Sequence, residues 1–335
     1  MSLERVTRWV SELRAMETFP AHGRLHPQNL RQGVHIAVDA LDASSLHEAM
    51  RIVGATPDRV GILAPSTVPS SVIEWCALAL AGGSEVVVKV SSRAPALVPL
   101  LADAAQRVGL SLTCVSSLDG LASCELIVSM GSDATITMLT ETFPTARHLA
   151  FGHRVSAAWI GKAHVDASVV GLAQDLLLHD GRGCMSPLVI LTDAPGATLL
   201  DALAPALDHI SQTLPSGART PAEGAARRSL IALAQILGTH RHGPDWDILH
   251  LPPSQVPQNL PPRTALLVSF DTVHAAAQWL RTQAWDWSTF GATPDWTEAL
   301  DVPRICLPGQ MQRPPLLRHH DGVDHLTLLR RSPTL

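Results

Sequence analysis

The chain has 335 residues, 46% of them hydrophobic, and a formal net charge of -5 at pH 7. This length is enough for one large domain or two ordinary domains with a full hydrophobic core. The negative charge argues against a nucleic-acid-binding surface, because such surfaces are usually basic. No apolar run approaches the ~20 residues that span a bilayer, and the amphipathic N-terminus does not resemble a signal peptide. We therefore expect a soluble cytoplasmic protein.

The five cysteines do not have the spacing of a disulfide framework or a zinc site. Their number is odd and no two of them form a Cys-x-x-Cys pair. Four lie in apolar stretches, where a thiol behaves as a small core hydrophobe. Cys184 differs, because the segment HDGRGCMSP (179–187) places it among glycines. The sixteen histidines also lack a fixed ligand spacing, so we expect no metal site.

Short strand-like and helix-like segments alternate through the first half of the chain. An N-terminal helix is predicted from the apolar residues Val6, Trp9, Val10 and Leu13. A further helix is predicted over 44–54, with a capping box of Ser45 and Glu48 and with Gly54 near its end. The predicted strands are 33–41, 59–65, 85–90, 111–115, 124–132 and 147–152. This alternation predicts an α/β fold with a doubly wound parallel sheet, whose strand ends form a ligand-binding edge.

The same alternation resumes after a predicted domain boundary near Ser156. Helices are predicted at 166–180, 197–214, 222–237 and 271–283, and strands at 187–193, 247–252 and 265–270. The proline-rich stretches are short and follow predicted strands, which is typical of surface connections. The sequence thus predicts two α/β units with one cysteine loop between them.

The loop after the most apolar strand carries a candidate cofactor-binding group. Lys89 ends this strand, and it is one of only two lysines in the chain. Its ammonium group could donate hydrogen bonds to ribose hydroxyls, while Ser91 or Arg93 could bind a phosphate. The alternative is that Lys89 only solvates the end of the strand.

A second candidate lies where Gly131 and Ser132 join a strand to a helix N-terminus. Unpaired N–H groups and the helix dipole favour a pyrophosphate at such a position. The alternative is that Ser132 is an ordinary N-cap residue. The glycine pattern of the usual dinucleotide fingerprint is absent from the sequence.

Four segments, in this order, resemble the aldehyde dehydrogenase superfamily and, within it, the LuxC-type acyl-CoA reductases. The first runs from LAPSTVP through EVVVKVSSRAP, the second is MGSD, the third is HDGRGCMSP and the fourth is VPRICLPGQMQRPPLLRHHDGVDHL. The likeness covers about residues 58–330, and the combination is more specific than any one segment. It implies two doubly wound α/β domains with the active site between them. The implied boundaries are 1–156 for nicotinamide dinucleotide binding, 157–310 for the catalytic cysteine domain and 311–335 for a C-terminal segment at the domain interface.

The resemblance also implies a reaction and its residues. Cys184 would attack an acyl-CoA or acyl-carrier thioester, and NADPH would reduce the acyl-enzyme to an aldehyde. Ala150 occupies the position of the glutamate with which aldehyde dehydrogenases activate hydrolytic water, which fits a reductase. Thr67 takes the place of an oxyanion-hole asparagine. His153 lies near the glutamate's position. It could be a proton donor or a base for the thiol, and the alternative is that it is a packed or surface residue.

Two other functions fit the same sequence. One is a superfamily enzyme acting on an acyl phosphate or an aldehyde. The other is a non-catalytic partner in a fatty-aldehyde or natural-product pathway, favoured by Thr67 and by the short N-terminal region. By resemblance we also expect a homo-oligomer, which could work with an acyl-transfer or acyl-activating enzyme.

Overall fold

The computed structural model describes residues 2–21, 23–257 and 260–331, and the chain divides into two units. The first unit runs from the N-terminus through His153 and includes the segment from Pro314 onward. The second unit runs from Arg154 to Arg313. Each unit is built around its own sheet, so the two are described in turn.

The first unit contains a parallel sheet of five strands. The strands are β1 (Arg59–Leu63), β2 (Glu85–Lys89), β3 (Leu112–Val115), β4 (Leu126–Met130) and β5 (Arg147–Phe151). Their spatial order is β3-β2-β1-β4-β5, and every neighbouring pair is parallel. The three central residues of β2 are fully buried, as a strand covered on both faces requires.

Helices cover this sheet and form most of its core. They are α1 (Ser2–Arg14), α2 (Pro27–Asp39), α3 (Ala43–Val53), α4 (Val72–Ala81), α5 (Leu97–Arg107) and α6 (Asp133–Thr142). The predicted N-terminal helix is confirmed, since its four apolar residues are at most 3% exposed. The indole of Trp9 also donates a 3.0 Å hydrogen bond to the Leu101 carbonyl, which fixes α1 against α5.

The strand predicted at 33–41 is wrong, because residues 27–39 form helix α2. Apolar residues alternate at 34, 36 and 38, but Leu30, Val34 and Val38 also follow the four-residue helical spacing and are fully buried. Pro27 begins this helix, and the side chain of His26 accepts the Gln28 N–H at 3.2 Å. The predicted strand began inside the helix and left out Leu30.

The cap predicted for α3 is also wrong in detail. Asp42 is the N-cap residue, and its Oδ1 accepts the N–H groups of Ser44 and Ser45, each at 2.9 Å. Glu48 instead pairs with Arg51 at 2.8 Å. Gly54 ends the helix with φ 65°, as predicted.

The second unit contains a sheet of seven strands. They are β6 (Val155–Ile160), β7 (Pro187–Thr192), β8 (Thr239–His242), β9 (Asp247–His250), β10 (Thr264–Ser269), β11 (Trp287–Ala292) and β12 (Arg304–Cys306). The order is β12-β11-β6-β7-β10-β9-β8, and only the β8–β9 pair is antiparallel. Its helices are α7 (Val165–Leu177), α8 (Gly196–Thr213), α9 (Pro221–Leu237) and α10 (Val273–Thr282).

The C-terminal segment returns to the first unit and ends in a short helix, α11 (His325–Leu329). Leu316, Leu326 and Leu329 are at most 4% exposed and belong to the core of that unit. Among the residues that the structure describes, no helix combines the length and apolarity required to cross a membrane.

Candidate functional site

The carboxyl edge of the first unit's sheet brings most of the candidate residues to one side. The chain adds β2 and β3 on one side of β1, and β4 and β5 on the other. The strand order reverses between β1 and β4, and open α/β sheets bind ligands at the carboxyl ends of the strands at such a point. Thr67 follows β1, and Gly131 follows β4.

The loop after β2 presents three candidate cofactor-binding residues. Lys89 is the last residue of β2 and pairs in register with Leu63 at the end of β1. Ser91 and Ala94 form an isolated bridge around a tight turn, in which the Ser91 hydroxyl accepts the Arg93 N–H at 3.3 Å. Within the described residues, the Lys89 ammonium and the exposed Arg93 guanidinium have no ion-pair partner, so both are available to an anionic or hydroxylated ligand.

Gly131 and Ser132 lie at the N-terminus of α6. A side chain at Gly131 would meet only Thr135, at 3.7 Å, so a ligand can approach the backbone there. Ser132 is the N-cap residue, and its hydroxyl accepts the Thr135 N–H at 3.3 Å. The Asp133 carboxylate occupies the first helical turn and accepts the His153 N–H at 3.4 Å. The helix N-terminus is therefore partly satisfied by the protein itself.

The other three residues singled out in this unit also follow or end its strands. Thr67 is exposed, and its hydroxyl makes no hydrogen bond to a described residue. Ala150 lies on β5, opposite Ser129 of β4, so this position carries no carboxylate. His153 is exposed and follows β5. Cys184 is not among these residues, since it belongs to the second unit.

Cys184 lies in an irregular loop between α7 and β7, and it is partly buried. The loop begins with three consecutive left-handed residues: His179 at φ 54°, Asp180 at φ 57° and Gly181 at φ 66°. A side chain at Gly181 would lie 3.1 Å from the Leu176 carbonyl oxygen. Both this close contact and the left-handed backbone favour glycine at position 181. The predicted helix 166–180 therefore ends earlier, at Leu177.

A buried ion pair holds this left-handed turn. Arg263 directly precedes β10, and its Nε donates to Asp180 Oδ1 at 2.7 Å. Its backbone N–H donates to the Asp180 carbonyl at 2.9 Å. The second carboxylate oxygen of Asp180 accepts the Gly217 N–H at 3.1 Å. Exposure of the two charged side chains is 0% for Arg263 and 2% for Asp180.

The other end of the loop is fixed by two neutral side chains. The Ser156 hydroxyl donates to the Cys184 carbonyl at 2.6 Å and accepts the Thr289 N–H at 3.0 Å, which links the loop to β6 and β11. The Gln312 amide donates to the Ser186 hydroxyl at 2.6 Å. The backbone around Cys184 is thus held on both sides.

A buried carboxyl group organises the segment that carries Gln312. Asp175 on α7 is 1% exposed and accepts N–H groups from Gly309, at 2.5 Å, and from Gln312, at 3.3 Å. Burial raises the pKa of Asp175 to about 6, and these N–H groups only partly offset the effect.

The other four cysteines are poor nucleophiles because their thiols are held protonated. Burial raises the pKa of Cys76, Cys124 and Cys306, the last to about 11. Partial burial and the Asp103 carboxylate raise the pKa of Cys114 on the edge strand β3. Cys184 lies in the irregular loop between α7 and β7 and is only partly buried.

Sequence reasoning missed Asp180, Arg263 and Gln312. One local signal was present: the tripeptide His-Asp-Gly occurs at 179–181 and again at 320–322, and both Asp-Gly pairs are left-handed. Asp-Gly is the pair that such turns favour. Arg263 and Gln312 lie 83 and 126 residues from their partners in the loop, so no local spacing could connect them.

The comparisons with known proteins agree with this architecture. The structure is similar to a benzaldehyde dehydrogenase from Corynebacterium glutamicum, with 16% identity, TM-score 0.70, and coverage of 93% of this chain and 83% of that one. It is also similar to aldehyde dehydrogenase 21 from Physcomitrella patens, with 15% identity, TM-score 0.69, and coverage of 92% and 76%. These likenesses show an aldehyde dehydrogenase fold. No curated protein gives a significant match to the sequence.

The family model of acyl-CoA reductase (LuxC) matches residues 79–332. The match extends over three quarters of the chain and takes in β2, the Gly131 turn, the cysteine loop and the C-terminal segment. The chain therefore belongs to the acyl-CoA reductase (LuxC) family, whose members are oxidoreductases acting on aldehydes or acyl-CoA.

Proposed function

We propose that the protein reduces a fatty acyl-CoA or acyl-carrier thioester to the aldehyde with NADPH, through an acyl-enzyme on Cys184. The observation that carries this proposal is the loop around Cys184. Its backbone is left-handed at 179–181 and is anchored at both ends by hydrogen bonds from distant residues. Irregular, over-determined backbone is typical of functional sites.

The chemistry needs one covalent intermediate. The Cys184 thiolate attacks the thioester carbonyl carbon, a new C–S bond forms, and the bond to the carrier sulfur breaks, releasing the carrier thiolate. When bound, the nicotinamide supplies the hydride that reduces the acyl group to the aldehyde. Loss of the aldehyde returns the Cys184 thiolate. Because Ala150 carries no carboxylate, this position offers no base for water, and the acyl-enzyme is protected from hydrolysis.

The residues of the first unit fit a nicotinamide dinucleotide. Lys89 would donate to ribose hydroxyls, Ser91 and Arg93 would hold a phosphate, and Gly131 and Ser132 would approach the pyrophosphate. The open approach to Gly131 and the absence of ion-pair partners of Lys89 and Arg93 among the described residues support this assignment. NAD-dependent dehydrogenases are among the similar solved structures, such as an aldehyde dehydrogenase from Sinorhizobium meliloti with 17% identity, TM-score 0.67, and coverage of 92% of this chain and 74% of that one.

Two residues of the first unit complete the proposed chemistry. Thr67 would donate its hydroxyl to the developing oxyanion, and His153 would exchange a proton with the thiol. We accordingly assign the first unit to cofactor binding and the second to acyl transfer. A homo-oligomer that receives its acyl group from an acyl-transfer or acyl-activating enzyme is consistent with this role.

The test is mass spectrometry after exposure to acyl-CoAs of several chain lengths, without a reductant. We expect a mass increase of one acyl group on the peptide that contains Cys184. C184S abolishes it, whereas C114S, which removes the exposed thiol on β3, keeps it. Subsequent addition of NADPH releases the aldehyde. Absence of an adduct at every chain length, or an adduct that survives in C184S, contradicts the proposal.

A further inference from the structure

Left-handed backbone is concentrated at one contact beside the cysteine loop. The described residues include four non-glycine residues with positive φ, and three of them meet here: His179, Asp180 and Arg263, at 54°, 57° and 56°. This backbone conformation is unfavourable for a residue with a side chain, and it persists only where its surroundings over-determine it. The fold therefore maintains an unfavourable backbone on both sides of one ion pair.

Arg263 supplies most of the contacts that hold this backbone in place. Besides its two bonds to Asp180, its Nη1 donates to Asp245 Oδ2 at 2.6 Å, and its Nη2 donates to the Leu214 carbonyl. The planar guanidinium thus binds three separate chain segments with fixed angles between them. A lysine ammonium cannot reproduce this fork.

Stability alone is a weak explanation for this ion pair. Burying two charges costs several kcal/mol per ion, and apolar side chains of similar volume often serve the fold as well or better. Charged, multiply bonded groups have the advantage of fixing one geometry. The pair is therefore better explained by a requirement for orientation than by a requirement for stability.

The chain between this pair and Cys184 is short and internally bonded. The Arg182 N–H donates to the His179 carbonyl at 3.1 Å, and the Arg182 side chain pairs with Glu223 at 2.7 Å. The Ser186 N–H donates to the Gly183 carbonyl at 3.0 Å. Hydrogen bonds therefore span the residues on both sides of Cys184, between His179 and Ser186.

We propose that Arg263 is a positioning residue for the Cys184 nucleophile. By fixing Asp180 in its left-handed conformation, Arg263 sets the direction from which the thiol meets an acyl carbonyl. This inference rests on the proposed role of Cys184 and adds a residue 79 positions away in the sequence. Arg263 contacts neither substrate nor cofactor in this role; it acts through the Asp180 turn.

The test compares two reactions of Cys184 that differ in their need for alignment. Acylation by an acyl-CoA requires a directed approach, whereas alkylation by iodoacetamide requires little. In R263K we expect single-turnover acylation to slow about 10- to 100-fold and kcat to fall with it, while KM stays near the wild-type value. Alkylation of the Cys184 peptide should change by less than about threefold. R318K is the matched control, because Arg318 also binds a largely buried carboxylate, Glu74, but belongs to the first unit.

If R263K does not fold, D180N replaces it. An amide there retains the shape, but its single oxygen cannot accept from both Arg263 and Gly217, so acylation should again slow more than alkylation. Equal acylation rates in the wild type, R263K and D180N overturn the inference while leaving the proposed function intact, and so does an equal loss in R318K. If the wild type takes up no acyl group, the proposed function itself has failed.

Discussion

His179 is an ionisable side chain inside the cysteine loop, and the fold keeps it neutral. It is 4% exposed, and burial lowers its pKa to about 4 from an ordinary 6.5. Between these two values the unfolded chain binds a proton that the folded chain does not. The contribution of His179 to the free energy of unfolding therefore falls as the pH drops from 6.5 towards 4, by up to about 3 kcal/mol.

We expect H179N to remove this dependence. Asparagine tolerates the left-handed backbone at this position but cannot take up a proton in this range. The free energy of unfolding of the second unit, measured in urea between pH 4 and 6.5, should lose its histidine contribution. Six of the eight tryptophans lie in this unit, so tryptophan fluorescence reports on it. An unchanged pH profile in H179N would contradict the prediction.

The contribution of Asp175 to stability should change with pH in the opposite direction to that of His179, over nearly the same pH range. Its folded pKa of about 6 exceeds the ordinary value of 3.8, so its stabilising effect is full below about 4 and is lost as the pH rises through 6. The contributions of Asp175 and His179 nearly cancel in the wild type. D175N should therefore expose the histidine dependence, with stability rising by about 3 kcal/mol from pH 4 to 6.5. A flat profile in D175N would refute the opposing pair.

Arg93 tests the cofactor assignment at a single residue. Its guanidinium is exposed, and under the proposed function it binds the additional phosphate of NADPH, which NADH lacks. R93A should weaken NADPH binding about 10- to 100-fold in titration calorimetry and leave NADH binding nearly unchanged. R51A, which removes an exposed arginine on α3, serves as the control. Equal losses for both nucleotides would exclude Arg93 from recognition of that phosphate.

At the level of elements, the second His-Asp-Gly segment shapes the C-terminal chain. His320 and Val323 bond to each other through both backbone N–H groups, at 3.0 and 2.9 Å, and the two residues between them, Asp321 and Gly322, have φ 49° and 82°. Both intervening residues are left-handed, as in a type I′ turn. The turn places the His320 ring 4.1 Å from the Phe151 ring at the end of β5.

Two glycine substitutions should therefore have opposite effects. G322A forces a side chain onto left-handed backbone and should destabilise the first unit by about 1 kcal/mol or more. G224A places a side chain within α9, where it would meet only Arg228, at 3.6 Å, and should stabilise the second unit by about 0.5–1 kcal/mol. Denaturant midpoints of the two units measure both effects. A stabilising G322A would show that the left-handed turn is not required.

The sequence predicted helices and strands well where the apolar pattern was strong. It failed for strands that form only because they pair with a neighbouring strand. Strands β1, β2 and β4 were predicted from their nearly continuous apolar runs, and β3 and β5 from the alternation of strand-like and helical segments. Strand β12 has three residues and β8 has the polar sequence THRH, so both exist through pairing with a neighbouring strand. Helix α2 was lost because its apolar residues fit both periods. Cys184 was proposed from its local composition, whereas Arg263 and Gln312 lie far from the loop in the sequence and leave no local pattern.

At the scale of the whole chain, the C-terminal segment completes the first unit around a largely buried carboxylate. Glu74 on α4 accepts from Arg318 at 3.0 Å, and His325, which is fully buried, lies 3.4 Å from its other oxygen. Burial opposes ionisation of Glu74. The effects of Arg318, His320 and His325 outweigh that of burial and hold the pKa of Glu74 well below the usual range. The ion pair therefore joins residues 244 positions apart within one core.

Removing one partner of the Glu74–Arg318 pair should lower the free energy of unfolding of the first unit far more than removing both partners. R318M leaves the Glu74 carboxylate buried without its main cation and should destabilise the first unit by about 3–5 kcal/mol. Because burial then raises the pKa of Glu74, the loss should be largest at high pH and shrink as the carboxyl group is protonated. The double variant E74Q/R318M should recover much of the stability, with a coupling of about 2 kcal/mol in urea unfolding. If R318M unfolds like the wild type at pH 8, the apolar contacts of Leu316, Leu326 and Leu329 alone hold the segment, and the ion pair contributes nothing to completing the unit.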